Sequence, residues 1–534
     1  MFNADNSIQG KNTSWRGCSM EAVYGHCKPF DAEHMPPVIP SKEHTVLYEL
    51  PINNKDTTRP PKPWKRDSNC QGIPCVRLPH SEAHHWQKVS KALQEPIRNS
   101  YELEARILSY QSNVEDKRNF QALHKLFEEQ QQKEAFLENF YNQLLPHIIS
   151  LALRLPELLQ APIPLLKQSM CHTLSLSQEQ ISCLLANAFL CTYPARSKFE
   201  DATEEFQALP DINFIRLFRS RGACVEEKLK CILHYFCRVC PSLNDVAFKP
   251  PRGCVTFERR FKPNTELPDW SQCSLPLAKT LVHIDSQGTI EDQGLGLLQL
   301  DFANKSVGGG VLGSGCVQEE IRFAICPELI AATLFTEFLQ PTEVLLILGC
   351  ERYSNYRGYN TTFQWQGNHE DTTPCGGSLR RKTFIVAMDA LALHQLTFAQ
   401  QFREDLMQRE LNKAYVGFWH PLHGITHPGV ATGNWGCGAF GGDARLKFLL
   451  QLMACTVTQQ SSMVYFTMGN EELRDELFEM FNCLKEHDVA VKDLWLILKK
   501  IEGTKIKEKE ELYPFLYQKI KKLKAKQTRH CFPS

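Results

Sequence analysis

Residues 301–323 read DFANKSVGGGVLGSGCVQEEIRF, a strand-like segment that passes through a glycine-rich turn into a predicted helix. The glycines Gly308–Gly310 have no Cβ atoms, so this backbone can approach a ligand closely and direct N–H groups at a phosphate. The triplet Gln318–Glu320 follows, and two adjacent carboxylates can protonate a leaving oxygen and orient a substrate. The stretch therefore predicts a nucleotide-like ligand beside a bond that is broken by acid catalysis.

Short apolar runs alternate with helical patterns after about residue 250. Four runs predict buried strands: GLLQLDF (296–302), EVLLILG (343–349), TFIVAMD (383–389) and SMVYFTM (462–468). Helical patterning lies between them, at 318–339, around 410–415 and at 443–457. Strands separated by helices predict an α/β layer structure, with ligands at the loop ends of the strands.

Changes in the sequence pattern along the chain predict four regions. Residues 1–85 contain PPVIPSKEH and RPPKPWKRD and predict an irregular lead segment. Residues 86–245 predict a helical accessory domain, in which Ser177 and Gln180 form a capping-box signal. Residues 246–500 would be the catalytic domain and 501–534 a basic tail. Cys531 lies near the end of this tail, so two roles of the tail stay open. It is a site of prenyl anchoring, or the tail is a solvated or nuclear-targeting basic segment.

The composition of the chain limits which binding partners and which cellular compartments are expected. The chain has 534 residues, 43% of them apolar, which supports large cores. Lys plus Arg and Asp plus Glu both total 60, so no global charge favours nucleic acid or an anionic membrane. No signal-peptide core and no apolar run of about twenty residues is apparent. We therefore expect a soluble intracellular monomer in nucleus or cytoplasm, with the mitochondrion also open, whose 21 cysteines are mostly reduced.

Two plainer interpretations of the 301–323 stretch stay open at this point. Gly308, Gly310 and Gly313 match G-x-G-x-x-G, as in an NAD-binding fold, although the position about twenty residues on is Glu328, inside a predicted helix. Glu319 and Glu320 would also suit the first turn of a helix simply by complementing its dipole. Neither interpretation requires hydrolysis.

A second glycine-rich stretch, VATGNWGCGAFGGDARLKF (430–448), again runs from an extended segment into a helix. It holds five glycines between Gly433 and Gly442, more than a single tight turn requires. Two such loops in one domain predict a diphosphate bound between them.

At this point the chain resembles the poly(ADP-ribose) glycohydrolase family. VGGGVLGSGCVQEE (307–320) is similar to the family's glycine-rich signature, which ends in Gln-Glu-Glu. Six further segments match in order: PIPLLKQ (162–168), SLSQEQISCLLANAF (175–189), LLQLDFAN (297–304), GCERYSNYRGY (349–359), ELNKAYVGF (410–418) and ATGNWGCGAFGGDARLK (431–447). The resemblance extends from about residue 85 to 520 and implies a macrodomain-like mixed sheet flanked by helices, with an α-helical accessory domain.

The resemblance implies a role for each matching residue. Glu320 would be the general acid for the ribose–ribose link, Glu319 would hold the distal ribose, and Asp301 would assist beside it. The expected substrate-binding residues are Gln318, Asn304, Gly308, Gly309, Gly310, Ile290, Glu291, Tyr359, Asn434, Gly436, Gly438, Ala439 and Phe440. The implied ligand is poly(ADP-ribose) on the proteins that carry it, with no cofactor and no metal. A catalytically silent reader of ADP-ribose chains is the alternative.

One position departs from the family pattern. Met468 stands where the matching strand of the family carries a phenylalanine, and methionine packs softly but cannot stack on a base. A lower affinity for the nucleotide is therefore expected, with the triplet untouched.

Two groups of possible metal ligands are more simply explained without a metal. His420, His423 and His427 lie among prolines and a glycine with no carboxylate or cysteine set. Cys231, His234, Cys237 and Cys240 recur every three residues, which predicts plain packing on a helix.

Overall fold

The computed structural model describes residues 13–27, 37–50, 60–64, 72–111, 119–129, 139–194, 209–240, 251–419, 429–504 and 506–531. The strands are β1 (Trp15–Gly17), β2 (His44–Val46), β3 (His172–Ser177), β4 (Cys254–Phe261), β5 (Leu281–Asp285), β6 (Leu298–Asp301), β7 (Glu343–Leu348), β8 (Ser354–Arg357), β9 (Gln364–Asn368), β10 (Phe384–Ala387), β11 (Val430–Gly433) and β12 (Ser462–Phe466).

The α-helices are α1 (Met20–Cys27), α2 (Ala83–Leu93), α3 (Ser100–Tyr110), α4 (Gln121–Glu129), α5 (Leu145–Leu153), α6 (Leu155–Leu158), α7 (Gln178–Phe189), α8 (Ile215–Arg219), α9 (Ala223–Val239), α10 (Ile290–Gln293), α11 (Gln318–Ile325), α12 (Ala332–Phe335), α13 (Glu404–Phe418), α14 (Ala444–Val457), α15 (Glu471–Glu486), α16 (Val491–Leu498) and α17 (Leu512–Cys531). A π-helical turn covers Phe140–Leu144, and short 3-10 turns cover Pro79–Ser81, Asn264–Glu266, Leu277–Lys279, Pro327–Ala331, Asn360–Thr362, Ala399–Phe402 and Lys509–Glu511.

Ten of these strands form one mixed sheet in the order β1-β5-β12-β11-β6-β10-β7-β4-β3-β2. The run β5, β12, β11, β6 and β10 is parallel, whereas β7, β4 and β3 continue antiparallel. Strands β8 and β9 form a separate hairpin. The antiparallel half is not that of an NAD-binding doubly wound sheet, which is mostly parallel, so that interpretation of the glycines is wrong.

The sheet has a core on each face. In β7, Leu345 and Ile347 pack into the core shared with the helices of the first half of the chain, whereas Val344 and Leu346 pack against α13 to α17. Alternate side chains of a strand point to opposite faces, so a strand covered on both sides must be apolar throughout. This explains the unbroken run EVLLIL.

Several predicted elements are present and one is divided. All four predicted strands form, and Ser177 caps α7 through the predicted box with Gln180. The expected helix over 318–339 is broken, however, into α11, a 3-10 turn and α12. The break falls at Pro327, which lacks an N–H and disfavours helical geometry in the residue before it.

Both ends of the chain contain regular structure that we did not expect. The lead segment is not irregular throughout, because β1 pairs with β5 at one edge of the sheet and β2 pairs with β3 at the other. The expected helical region also contributes β3 to the sheet. In the basic tail, α17 buries Leu512, Leu516 and Ile520 at four-residue spacing, which is the pattern of a packed helix. The ranges of the four regions themselves stay a prediction.

Candidate active site

The carboxyl ends of the parallel strands meet at one edge of the sheet. Strand β6 ends at Asp301 and leads into the first glycine loop, and its neighbour β11 ends at Gly433 and leads into the second. Strands β12 and β5 end alongside, next to Met468 and α10. Because ligands of open α/β sheets bind at this edge, the topology brings the expected site residues to one end of the domain.

Two glutamates in the first turn of α11 are held by the backbone of the first loop. Glu319 accepts hydrogen bonds from the N–H groups of Asn304 (2.8 Å) and Gly308 (2.6 Å). Glu320 accepts from those of Gly310 (2.7 Å) and Val317 (2.8 Å). Only 2% of Glu319 and 6% of Glu320 is exposed. Both carboxylates are therefore fixed in place, which goes beyond complementing the helix dipole.

The first loop needs glycine because the carboxylates lie against it. A Cβ on Gly309 would lie 2.5 Å from Oε2 of Glu319 and 2.7 Å from Oε1 of Glu320, and the φ angle of Gly309 is +49°. A Cβ on Gly315 would lie 2.7 Å from Oε1 of Glu320. No other residue fits these positions without displacing an acid.

The N–H groups of Gly308–Gly310 all have acceptors inside the protein. Gly308 and Gly310 donate to the glutamates, and Gly309 donates to the carbonyl of Ser306 (2.9 Å). The expectation that these three N–H groups face a diphosphate does not fit this geometry, because each is already engaged. Their physical role is to orient the carboxylates.

A third carboxyl group, Asp301, completes a buried acidic cluster. Burial raises its pKa to about 8; the charge of Glu320 adds to the rise and Arg322 opposes it. Burial, followed by the charges of Asp301 and Glu320, raises the pKa of Glu319 well above its ordinary value. Neither oxygen of Asp301 has a hydrogen-bond partner among the described residues. Such a cluster retains protons in neutral solution.

A pocket with an empty volume of about 510 Å³, part of it open to solvent, lies beside this cluster. Its lining includes four residues that the sequence predicted, Ile290, Glu291, Gln318 and Tyr359. The remaining lining residues are Gly288, Thr289, Phe302, Ile321, Arg322, Tyr356, Gly433, Phe466 and Met468. An apolar floor with a few polar groups suits a flat heterocyclic base.

Glu291, in α10, is held in the pocket by Tyr356 of the β8 hairpin. The Tyr356 hydroxyl donates to Oε1 of Glu291, and only 8% of Glu291 is exposed. Next to it, Arg352 forms an ion pair with Asp292 (2.6 Å). Tyr356 of the hairpin and Arg352 just before it therefore hold α10 in place beside the pocket.

Three further expected residues are ordered by contacts of their own. The Gln318 side chain accepts from the N–H of Phe302 (2.7 Å) and donates to the carbonyl of Leu300 (3.0 Å). Oδ1 of Asn304 accepts from the N–H of Ser306 (3.0 Å). Tyr359 is 37% exposed over the pocket. Gln318 thus ties the start of α11 to the end of β6.

Apart from Gly433 at its start, the second loop does not line this pocket, and its backbone differs from that of the first. Among the described residues, the N–H groups of Gly438, Ala439 and Phe440 have no acceptor, and Gly438 and Ala439 are exposed. Gly436 has a φ of +75° and its Cβ would lie 2.5 Å from that of Ala390. Consecutive free N–H groups at this edge of the sheet can bind an anion.

The loop is anchored on either side of those free groups. Asn434 accepts a hydrogen bond from the Tyr465 hydroxyl (3.0 Å), and Trp435 is fully buried and donates to the carbonyl of Met388 (2.9 Å). Asp443 then caps α14. The five expected residues Asn434, Gly436, Gly438, Ala439 and Phe440 therefore lie on one anchored turn.

Three of the pocket residues that were not predicted from the sequence, Phe302, Tyr356 and Arg322, differ in the signal that could have marked them. Phe302 follows a strand that was predicted, so its position was a usable signal, and Tyr356 lies within the matched segment at 349–359. Nothing in the sequence marked Arg322 as a pocket residue, since an arginine on a helix is ordinarily solvated. In the structure it is buried and lines the pocket, and its Nε and Nη1 have no partner among the described residues.

No cluster of three or more metal-ligating side chains occurs within the part of the chain that the structure describes. His234 contacts Oδ1 of Asn368 (3.2 Å) and the ring of Trp365, which is a packing role. His420, His423, His427 and the Cys531 side chain lie outside the described residues. Within the described ranges, no helix has both the length and the apolar character that a membrane crossing requires.

A mixed α/β sheet with an apolar pocket, a buried acidic cluster and a turn of free N–H groups at one edge is the arrangement of a ligand-binding α/β domain. Comparison with known families agrees with this class. Residues 267–475 match the model described as poly(ADP-ribose) glycohydrolase, macro domain fold, and residues 118–259 match that of the family's helical domain. The chain belongs to the poly(ADP-ribose) glycohydrolase family.

Named relatives support the same assignment. Poly(ADP-ribose) glycohydrolase 1 of Arabidopsis thaliana is 33% identical over 442 residues, covering 67% of this chain and 77% of the relative. Probable poly(ADP-ribose) glycohydrolase 2 of the same plant is 32% identical over 421 residues, with the same coverage. Poly(ADP-ribose) glycohydrolase 2 of Caenorhabditis elegans is 32% identical over 339 residues, covering 60% and 66%. The predicted family and fold class are confirmed.

Proposed function

We propose that this chain is a poly(ADP-ribose) glycohydrolase that cleaves the ribose–ribose bond with Glu320 as its acid. Family membership supports the activity. The observation that carries the role of Glu320 is that both of its carboxylate oxygens are fixed by backbone N–H groups beside a proton-retaining cluster and an apolar pocket.

The reaction follows from this arrangement. A proton passes from Glu320 to the leaving ribose oxygen as the bond from that oxygen to the anomeric carbon breaks, leaving an oxocarbenium-like sugar. The carboxylate of Glu320 then takes a proton from water as the water oxygen bonds to the same carbon, which restores the acid. Asp301 and Glu319 keep protons in the cluster, and Glu319 orients the distal ribose.

The remaining expected residues contact different parts of the ligand or position the acids. Ile290, Glu291 and Tyr359 surround the adenine, with Glu291 accepting from its amino group. The diphosphate lies against the free N–H groups of Gly438, Ala439 and Phe440, and Asn434 and Gly436 shape that turn. Gln318, Asn304 and Gly308–Gly310 position the acids. This assigns the anion site to the second loop alone.

Incubation of the protein with labelled poly(ADP-ribose) tests the activity. We expect release of free ADP-ribose. Measurable binding of the polymer with no release, under the same conditions, would instead identify a silent reader.

Tyr356→Phe should weaken ADP-ribose binding while leaving kcat nearly unchanged. The substitution removes the donor to Glu291, so the carboxylate loses its fixed orientation in the pocket. A hydrogen bond to a charged group contributes about 1.5–3 kcal/mol, so we expect the Kd to rise roughly tenfold or more. Calorimetric titration with ADP-ribose measures this. The ring of Tyr101, 57% exposed on α3, provides a matched control in Tyr101→Phe, for which an unchanged Kd is expected.

Met468→Phe should tighten ADP-ribose binding. Met468 lines the pocket, is 53% exposed and already has a φ of +53°, so phenylalanine adds no new backbone cost. Stacking of an aromatic ring on a base is worth roughly 1–3 kcal/mol, which predicts a Kd lower by about fivefold or more. The Kd of Met468→Ala, measured in the same titration, separates the effect of ring stacking from that of side-chain volume. Equal Kd values for the Phe and Met proteins would mean that the base does not reach this residue.

Three expectations on partners and location stay predictions. We expect a monomer that acts on polymer attached to proteins and has no sequence-specific contact with nucleic acid, since the formal net charge is zero. We also expect it in the nucleus or the cytoplasm. Size-exclusion chromatography with light scattering and imaging of the tagged protein test these points.

A further inference from the structure

Lys228 is a fully buried lysine in α9, outside the site described above. Its Nζ lies within hydrogen-bond distance of four carbonyls of the first glycine loop, which share its three N–H groups: Gly310 (3.3 Å), Val311 (3.1 Å), Gly313 (2.8 Å) and Gly315 (2.5 Å). The contacts join two segments that are more than eighty residues apart along the chain.

The ammonium group has no ion-pair partner among the described residues. Buried lysines are rare because desolvation disfavours the charged form. Here burial lowers the pKa of Lys228 to about 8, which still leaves it mostly protonated in neutral solution. Four converging carbonyl dipoles therefore take the place of both water and a carboxylate. A compact ammonium can satisfy such an arrangement, whereas a planar guanidinium cannot.

The same loop segment is bonded from its other side by the proposed acid. Gly310 donates its N–H to Glu320 and offers its carbonyl to Lys228. Gly315 also contacts both, because its carbonyl accepts from Lys228 and its missing Cβ makes room for the Glu320 carboxylate. The orientation of these peptide groups therefore depends on Lys228 as well as on Glu320.

Other residues of the helical region pack on the same loop without charge pairing. A Cβ on Gly313 would lie 2.8 Å from Nε of Arg216, in α8, and Sγ of Cys224 approaches the Ser314 carbonyl at 3.7 Å. Among these contacts, Lys228 alone donates to several loop carbonyls. It is the principal polar link from the helices to the catalytic loop.

We propose that Lys228 is a positioning residue for hydrolysis, which holds the loop over 310–315 so that the Gly310 and Val317 N–H groups fix Glu320. This inference rests on the proposed function, since Glu320 is taken as the acid. It assigns the helical region a part in catalysis through a single side chain, with no contact between Lys228 and the substrate required.

Lys228→Met tests the inference, because methionine keeps an unbranched side chain only one atom shorter and removes the charge and donors. We expect kcat on poly(ADP-ribose) to fall by about 30-fold or more, since a misplacement of about 1 Å can cost 10²-fold. The Kd for ADP-ribose should stay within about threefold, as the pocket is elsewhere, and hydrogen exchange should rise in peptides covering 308–317 but not in 444–457. Lys230→Met is the matched control, since Lys230 lies on the same helix and pairs with Glu227 (2.6 Å).

The outcomes separate this inference from the proposed function. Absence of turnover in the wild-type protein would sink the proposed function, whereas wild-type kcat in Lys228→Met would overturn the role of Lys228 alone. Equal rises in hydrogen exchange across the whole protein would also overturn it, because Lys228 would then support general stability. If Lys228→Met does not fold, Lys228→Arg decides: a kcat lower by about fivefold or more with unchanged Kd supports the inference, and wild-type kcat refutes it.

Discussion

Glu320→Gln should abolish poly(ADP-ribose) hydrolysis while ADP-ribose still binds with a Kd within a few-fold of wild type. Removal of the proton that the leaving oxygen needs should lower kcat by about 10³-fold, within the range of general acid catalysis. The pocket residues that we propose contact the base, such as Glu291, are not altered. Single-turnover hydrolysis of labelled polymer and calorimetric titration with ADP-ribose measure the two quantities.

The same substitution has a smaller effect on stability. Glutamine can accept from only one of the N–H groups of Gly310 and Val317, so its amide nitrogen faces the other donor. An unsatisfied buried donor costs about 1–3 kcal/mol of unfolding free energy, and Tm should fall accordingly. The thermal transition of the variant therefore has to be measured with its kinetics, at a temperature where it is folded.

Glu179→Gln is the matched control for the helix dipole. Glu179 lies in the first turn of α7, as Glu320 does in α11, and it pairs with Arg154 away from the site. If first-turn acids matter only through the dipole, both variants should behave alike. We expect wild-type kcat for Glu179→Gln, and turnover above about a tenth of wild type in Glu320→Gln would mean that another group is the acid.

The order of the elements was largely predictable from the sequence. Buried strands of a sheet covered on both faces must be apolar throughout, so runs such as EVLLIL stand out without any alignment. The capping box at Ser177 and Gln180 marked the start of α7. The edge strands β1 and β2 were missed because three residues carry no measurable alternation, and tertiary pairing alone decides that they form.

The sequence indicated where the site residues lie better than it indicated what each of them does. The glycines at 308–310 were correctly marked as a backbone that something must approach, but the approaching groups are the protein's own carboxylates. Periodicity gives no information on contacts such as Tyr356 with Glu291, which are 65 residues apart in sequence. Lys228 had a weaker signal, since it lies three residues after Val225 and four before Ile232 on the apolar face of α9.

Gly309→Ala should reduce hydrolysis by about 10²-fold or more, as great a loss as any substitution outside the acid itself. The new methyl group would lie 2.5 Å from Oε2 of Glu319 and 2.7 Å from Oε1 of Glu320, so both carboxylates must move. Alanine at a φ of +49° also costs about 1–2 kcal/mol of backbone free energy. Initial rates on labelled polymer and a Tm measurement separate the catalytic loss from the loss of stability.

Gly72→Ala controls for the backbone cost of that change. Gly72 has a φ of +86°, and a Cβ there would meet no atom within 4 Å, so this variant has the left-handed penalty without displacing an acid. We expect a smaller fall in Tm for Gly72→Ala than for Gly309→Ala, and wild-type kcat for Gly72→Ala. Equal activity of Gly309→Ala and wild type would mean that the loop can relax around the methyl group. The close fit of glycine to carboxylate would then not be what holds the acids in place.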